Sequence, residues 1–179
     1  MLTTAANAMA LDRAWIAAHI PHQGDMCLLN ATVGWSETAI SCRASSHADP
    51  ANPLRAEGRL GAAAGIEYAA QAMAIHGALL AAGDDQPRQG YLTSVRSVSL
   101  HVARLDDQPG ELDVQAERLS GDGNNILYQF AVSHAGRCLL EGRAAVVLDA
   151  GALNTEPYDH RNNGWPQGQP EKSAKKEIS

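Results

Sequence analysis

The sequence predicts an α+β fold in which an antiparallel sheet of about six strands wraps around one long apolar helix. Two observations lead to this prediction. The stretch from Gly58 to Gly83 is almost entirely apolar and reads as one helix, and short β-patterned runs separated by turns lie on both sides of it. A helix that is apolar around its whole circumference has to be buried, so the strands must cover it.

The apolar stretch is a poor candidate for a membrane span. Glu67, Gln71 and His76 interrupt it, and alanine and glycine are frequent in it. We therefore expect a central core helix without membrane insertion. Glu67 then lies in its first turns, where an unpaired charge is costly.

Before this helix the sequence predicts a short helix and two strands. The run Leu11–His19 can form a helix that ends before Pro21, because the residue before proline disfavours helical geometry. Met26–Val33 is a short apolar run, and Thr38–Ser46 alternates apolar and polar residues as a half-buried strand does. A loop rich in Pro, Asp, Asn and Gly then leads into the core helix.

After the helix, the sequence predicts a meander of three to four strands. The β-patterned runs are Tyr91–Arg104, Glu111–Leu119, and Ile126–His134 with its continuation Arg137–Leu148. Ala135-Gly136 is a candidate hairpin turn between the last two. One helix and about six antiparallel strands bury each other only if the sheet curls around the helix, which is the hotdog arrangement.

Composition predicts a single domain with flexible ends. A chain of 179 residues is long enough to bury a core. We expect a loose leader at 1–9, the hotdog domain at 10–150, and a disordered tail at 151–179 that is poor in aliphatic residues. The start of the chain lacks the basic and apolar regions of a signal peptide, so we expect a cytoplasmic protein.

Charge and cysteine content exclude several kinds of partner. The formal net charge is −6 and no basic stripe is visible, which argues against nucleic acid. The three cysteines are widely spaced, so neither a disulfide framework nor a metal site follows from them. We expect no metal.

Three segments, in the same order and spacing, resemble a known family. They are IPHQGDMCLLNATV (20–33), GIEYAAQAMA (65–74) and GYLTSVRSVSLHVAR (90–104). The first resembles the opening motif of bacterial 3-hydroxyacyl-acyl-carrier-protein dehydratases, the second their central-helix segment, and the third the strand that follows it. The likeness extends from about Ala10 to about Asp149. It is nearest to the divergent hotdog dehydratases of aryl-polyene and related lipid clusters.

The resemblance implies dehydration of 3-hydroxyacyl thioesters on acyl carrier protein to trans-2-enoyl thioesters, in fatty acid or polyene-type lipid synthesis. No cofactor is implied, because proton transfer and electrostatics are sufficient. An acidic carrier protein would bind local arginines, for which four are available: Arg55, Arg59, Arg88 and Arg96. Hotdog chains typically pair through their sheet edges, so a homodimer or a heterodimer with another hotdog subunit is expected.

The chain departs from the family at the catalytic histidine. The family's spacing from the helix glutamate leads to Pro53, where the histidine is absent. The nearest substitute is His47, which could be an ordinary surface loop residue or could reach the helix of a partner protomer and act as the base. His22 in the first motif is interpreted as a residue that fixes its loop, and His76 as a satisfied core histidine.

Four helix residues complete the predicted site. Glu67 would be the catalytic acid, with a proton affinity held high by desolvation. Gln71 lies one turn later on the same face and could orient it or bind substrate, although a simple hydrogen-bonded core residue is an equally good interpretation. Gly61 and Gly65 could let the thioester carbonyl approach the free N–H groups of the helix start, although small residues serve tight packing equally well.

Two other functions stay open at this point. The missing histidine would suit a non-catalytic hotdog subunit that completes the site of a related chain. A helix carboxylate could also activate water, as in a hotdog acyl thioesterase.

Overall fold

The computed structural model describes residues 10–81, 90–121 and 124–148. The predicted leader and tail lie outside these residues, so the domain boundaries stay a prediction. The two α-helices and six strands in the described part are α1 (Arg13–His19), β1 (Ala31–Trp35), β2 (Ala39–Ala44), α2 (Gly65–Leu80), β3 (Tyr91–Leu100), β4 (Leu112–Gly121), β5 (Asn125–His134) and β6 (Arg137–Val147).

The six strands form one sheet in the order β1-β2-β4-β5-β6-β3, and every neighbouring pair is antiparallel. Helix α2 packs across β2, β4 and β5, and its buried side chains join the strands' inward side chains in one hydrophobic core. The prediction of a hotdog fold is confirmed. Neither described helix is long and apolar enough to cross a membrane.

The core helix begins later than its apolar sequence suggests. Gly58 adopts a positive φ of 73°, inside a turn that pairs Ala56 with Arg59. A short 3₁₀ turn then precedes α2, which starts at Gly65. An added Cβ at Gly65 would collide with the buried side chain of Leu140 on β6, so glycine is needed for the helix start to approach the sheet.

The predicted strand at Met26–Val33 is the main difference in the first half. Met26 ends a 3₁₀ turn, and β1 begins only at Ala31. Leu28 is fully buried but has no strand partner. Two side chains form hydrogen bonds with its backbone groups instead. Its N–H donates to Gln71 Oε1 at 2.9 Å, and its carbonyl accepts from Ser46 Oγ at 2.7 Å.

The turn predicted at Ala135-Gly136 is confirmed. Both residues have a positive φ, 49° and 78°, as a type I′ turn requires. This turn sets the register of β5 against β6. On its other side β6 pairs with β3, which forms the edge of the sheet.

His76 is the satisfied core histidine that its place on the helix predicts. Its Nε2 lies 2.8 Å from the Ser36 carbonyl, and its Nδ1 lies 2.9 Å from the Tyr128 hydroxyl. A carbonyl only accepts, so Nε2 carries the hydrogen and Tyr128 donates to Nδ1. Burial lowers the pKa of His76 below its ordinary 6.5, with the nearby Arg118 charge adding a smaller effect in the same direction, and raises that of Tyr128 to about 12.

Substitution of His76 by glutamine should weaken the dependence of stability on pH. Because the folded-state pKa of His76 is depressed, its contribution to stability is present above pH 6.5 and is lost as the pH falls through the folded pKa. His76→Gln should reduce the slope of unfolding free energy against acidic pH by up to about 1.4 kcal/mol per pH unit. Urea unfolding at several pH values measures it.

The exposed His101→Gln variant is the control for loss of a surface histidine, and it should change the slope less than His76→Gln does. Equal slopes in wild type and His76→Gln would contradict the assignment of a buried neutral imidazole.

Candidate active site

A histidine and a glutamate meet at the start of the core helix. His22, in the segment between α1 and β1, places Nε2 at 2.9 Å from Oε1 of Glu67, the third residue of α2. Both side chains are partly exposed, at 26% and 30%. The pair is therefore fixed by protein contacts on one side and accessible to a small molecule on the other.

Gln71 connects this pair to the loop that carries His22. Its Nε2 donates to Glu67 Oε1 at 3.0 Å and to the Met26 carbonyl at 2.8 Å, while its Oε1 accepts from Leu28 N–H. Gln71 is fully buried. One amide thus holds the loop after His22 against the helix and fixes the Glu67 carboxylate.

The balance of burial and hydrogen bonds keeps Glu67 ionised. Burial alone would raise its pKa, but hydrogen bonds from His22 and Gln71, together with the charge interaction with His22, bring the net pKa below the ordinary value. The predicted high proton affinity of Glu67 rested on desolvation alone, and these hydrogen bonds reverse it. At neutral pH the carboxylate is an acceptor and a potential base.

The pair lies at one end of a largely apolar cavity of about 530 Å³. This volume is in the range of small-molecule sites. The cavity runs between the small residues of α2 and the strands β3, β5 and β6. Its wall beyond the pair includes Ala70, Met73, Ala74, Gly77, Ala78, Tyr91, Leu92, Ile126, Tyr128, Val146 and Leu148.

The structure does not bring His47 to Glu67. His47 is fully buried within its own chain, in a 3₁₀ turn after β2, and its Nε2 lies 3.2 Å from the Gln108 carbonyl. Burial lowers its pKa. A ring enclosed in this way presents no surface to a partner protomer. His22, which the sequence reading treated as structural, occupies the position beside the carboxylate.

The two glycines predicted to bind substrate are not among the residues that line the cavity. Gly61 forms an isolated bridge with Arg104, and Gly65 packs against Leu140. Their role toward a thioester stays a prediction. Gln71 is the predicted substrate-binding residue that contacts the pair directly.

Three side chains outside the cavity could hold a metal ion. His101, Cys138 and Glu141 place their ligand atoms within 4.8 Å of one another on the surface. The sequence spacing gave no sign of this group, because the sheet brings β6 beside the segment after β3. None of the three lines the cavity, so they are separate from the His22–Glu67 pair.

Removal of the Gln71 amide should destabilise the fold and perturb Glu67. Gln71→Leu leaves the buried Leu28 N–H and Met26 carbonyl without their partner, at a cost of about 2–4 kcal/mol. It should also raise the pKa of Glu67, because one of its hydrogen bonds is lost. Urea unfolding and carboxylate titration by NMR measure the two effects.

A matched control for Gln71→Leu is Gln23→Leu, whose amide also bonds to backbone carbonyls but at an exposed position. The control should cost much less. Wild-type stability and an unchanged Glu67 titration in Gln71→Leu would show that the amide does not hold the loop.

Comparison with solved structures agrees with the fold. The dehydratase heterocomplex ApeI:P from Xenorhabdus doucetiae contains a chain that is 22% identical, with a TM-score of 0.69 over 78% of this chain and 97% of that one. A thioesterase superfamily member 2 from zebra fish and a thioesterase described from Silicibacter sp. are each 12% identical over 78% of this chain, with TM-scores of 0.52 and 0.55 over 99% and 92% of theirs. At these identities the likeness shows the hotdog fold.

Sequence comparison shows the family. No curated protein matches the chain. The model of the ApeP dehydratase family matches residues 14–155, well over half of the chain, and this range contains the His22–Glu67 pair and the cavity. The chain belongs to the ApeP-like dehydratase family.

Proposed function

We propose that this chain dehydrates 3-hydroxyacyl thioesters carried by acyl carrier protein, with Glu67 and His22 transferring the protons. The observation that supports it is the 2.9 Å contact between His22 Nε2 and Glu67 Oε1 at one end of an apolar cavity. The polar end suits the 3-hydroxy thioester, and the apolar wall suits its hydrocarbon chain.

In the proposed reaction the Glu67 carboxylate removes a proton from the α-carbon of the substrate. The electron pair of that C–H bond forms the double bond, and the bond from the β-carbon to the hydroxyl breaks. Protonated His22 gives its proton to the departing hydroxyl, which leaves as water. The ionised state of Glu67 favours this assignment over the sequence-based one, in which Glu67 is the acid.

The contact between the two side chains also restores the resting state. After elimination Glu67 carries a proton and His22 has lost one. Transfer from Oε1 to Nε2 across their hydrogen bond returns both groups to their starting forms, so no external proton is needed. Gln71 keeps the carboxylate in place during this exchange.

Recognition of the carrier protein is proposed to use exposed arginines. Arg59 and Arg96 are exposed, so their guanidinium groups can meet an acidic partner. Arg55 differs, because its guanidinium is largely buried and paired with Asp106. It serves the loop before α2 instead.

Replacement of either member of the pair should abolish most dehydration. Glu67→Gln and His22→Gln keep the size of the side chain but remove a proton-transfer group, so kcat should fall by about 10²–10⁴-fold. The measurement is the absorbance of enoyl thioester formed from a 3-hydroxyacyl carrier protein. Exposed His101→Gln is the control and should retain activity.

The same assay compares the two histidines. Activity per folded molecule that survives in His22→Gln but is lost in His47→Gln would restore His47 as the base. Release of free thiol instead of enoyl thioester would identify a thioesterase, which the fold neighbours named above also allow.

A second candidate function is that of a hotdog subunit that requires a related chain for activity. Edge strand β3 is exposed along most of its length, with four large apolar side chains at the surface: Tyr91, Leu92, Val98 and Leu100. A strand edge of this kind favours pairing with another sheet. The ApeI:P neighbour is itself a dehydratase heterocomplex, which supports a hotdog partner for this chain.

Charges on β3 should prevent assembly. The double variant Val98→Arg with Leu100→Arg should shift the oligomer to monomer in light scattering after size exclusion, because two buried charges oppose the interface. Val33→Arg on the opposite edge strand is the control, since Val33 is 50% exposed, against 37% for Val98 and 49% for Leu100. An oligomer that survives the double variant, or that Val33→Arg dissociates, would place the interface elsewhere.

A further inference from the structure

We propose that Gly77 determines the length of the acyl chain that the cavity accepts. This inference rests on the proposed function and concerns the far part of the same cavity. Gly77 lines the cavity ten residues after Glu67 on α2. At 1.5 Å per residue it lies about 15 Å along the helix axis from the reacting end.

Neither backbone conformation nor packing accounts for a glycine at this position. Gly77 is inside a regular helix and is not among the residues with positive φ. A Cβ added to Gly77 would meet no described heavy atom within 4 Å beyond its chain neighbours and the adjoining helix backbone, whereas at Gly65 it would collide with Leu140. Glycine inside a helix makes the helix less stable than alanine would, and no contact of the described residues explains why glycine is present here.

The remaining role of Gly77 is the space it leaves in the cavity. Its neighbours on this wall, Ala74 and Ala78, are also small, and the larger Met73 lies one turn nearer Glu67, so a larger side chain at 77 would narrow the part of the cavity beyond Met73. An extended chain advances roughly 1.2 Å per bond, judged from three backbone bonds in 3.3–3.6 Å. A chain of roughly twelve carbons beyond the reacting centre therefore reaches Gly77, and a four-carbon substrate does not.

The test compares Gly77→Ala and Gly77→Leu with wild type on two carrier-bound substrates, 3-hydroxybutyryl and 3-hydroxytetradecanoyl. For the short substrate, kcat/KM should stay within about twofold. For the long substrate, Gly77→Leu should lower kcat/KM by about tenfold or more, and kcat/KM of Gly77→Ala should lie between the values of wild type and Gly77→Leu. Gly77→Ala should also raise the Tm by about 2–4 °C.

The exposed residue Ala14 on α1 provides the control for added bulk. Ala14→Leu lies outside the cavity and should leave the preference between the two substrates unchanged. Equal losses with both substrates in Gly77→Leu would overturn the inference, as would dissociation of the oligomer, which would make Gly77 a packing residue between subunits.

Binding measurements separate this inference from the proposed function. If wild type dehydrates neither substrate, the proposed function fails, but calorimetry with tetradecanoyl-pantetheine still tests the cavity. Binding by wild type and loss of binding in Gly77→Leu would support the role of Gly77 without catalysis. Equal binding by both proteins, or none by wild type, would refute it.

Discussion

The Gln71 side chain is the interaction on which the site depends. The chain between α1 and β1 reaches a strand only at its end, where the Asn30 N–H donates to the Arg43 carbonyl on β2, yet it already enters the core at Leu28. A buried backbone segment needs partners for its N–H and C=O groups, and Gln71 supplies two of them. The same amide donates to Glu67. The position of the loop and the position of the carboxylate therefore depend on the same side chain.

This arrangement explains how a carboxylate remains ionised in an apolar helix. Glu67 is half-buried, and desolvation alone would favour its neutral form. Two donors directed at one oxygen offset that cost, and one of them is a group that can itself exchange a proton. The pair is thus stable at rest and, in the proposed reaction, restores itself through the same contact.

The helix serves two purposes that conflict in part. Towards β2, β4 and β5 its side chains are buried and close-packed, as at Tyr68 and Ile75. Towards the cavity its residues are small apart from Met73, and at Gly77 an added Cβ would contact no described atom outside the helix backbone around it. Space for a ligand is left on the face where a larger side chain would stabilise the helix, which agrees with the acyl-chain binding proposed above.

The sequence by itself determined the apolar core helix, most of the strands, the turn at Ala135-Gly136 and the place of Glu67 in the first turn of the core helix. These follow from periodicity, turn chemistry and an isolated charge, which are local properties. It did not determine which histidine meets Glu67, because that depends on where two loops fold back onto the helix. His47 is the nearer in sequence to Glu67 but lies buried against Gln108, whereas His22 is brought to 2.9 Å by the loop that Gln71 holds. Only long-range hydrogen bonds, formed when the sheet closes around the helix, decide between them.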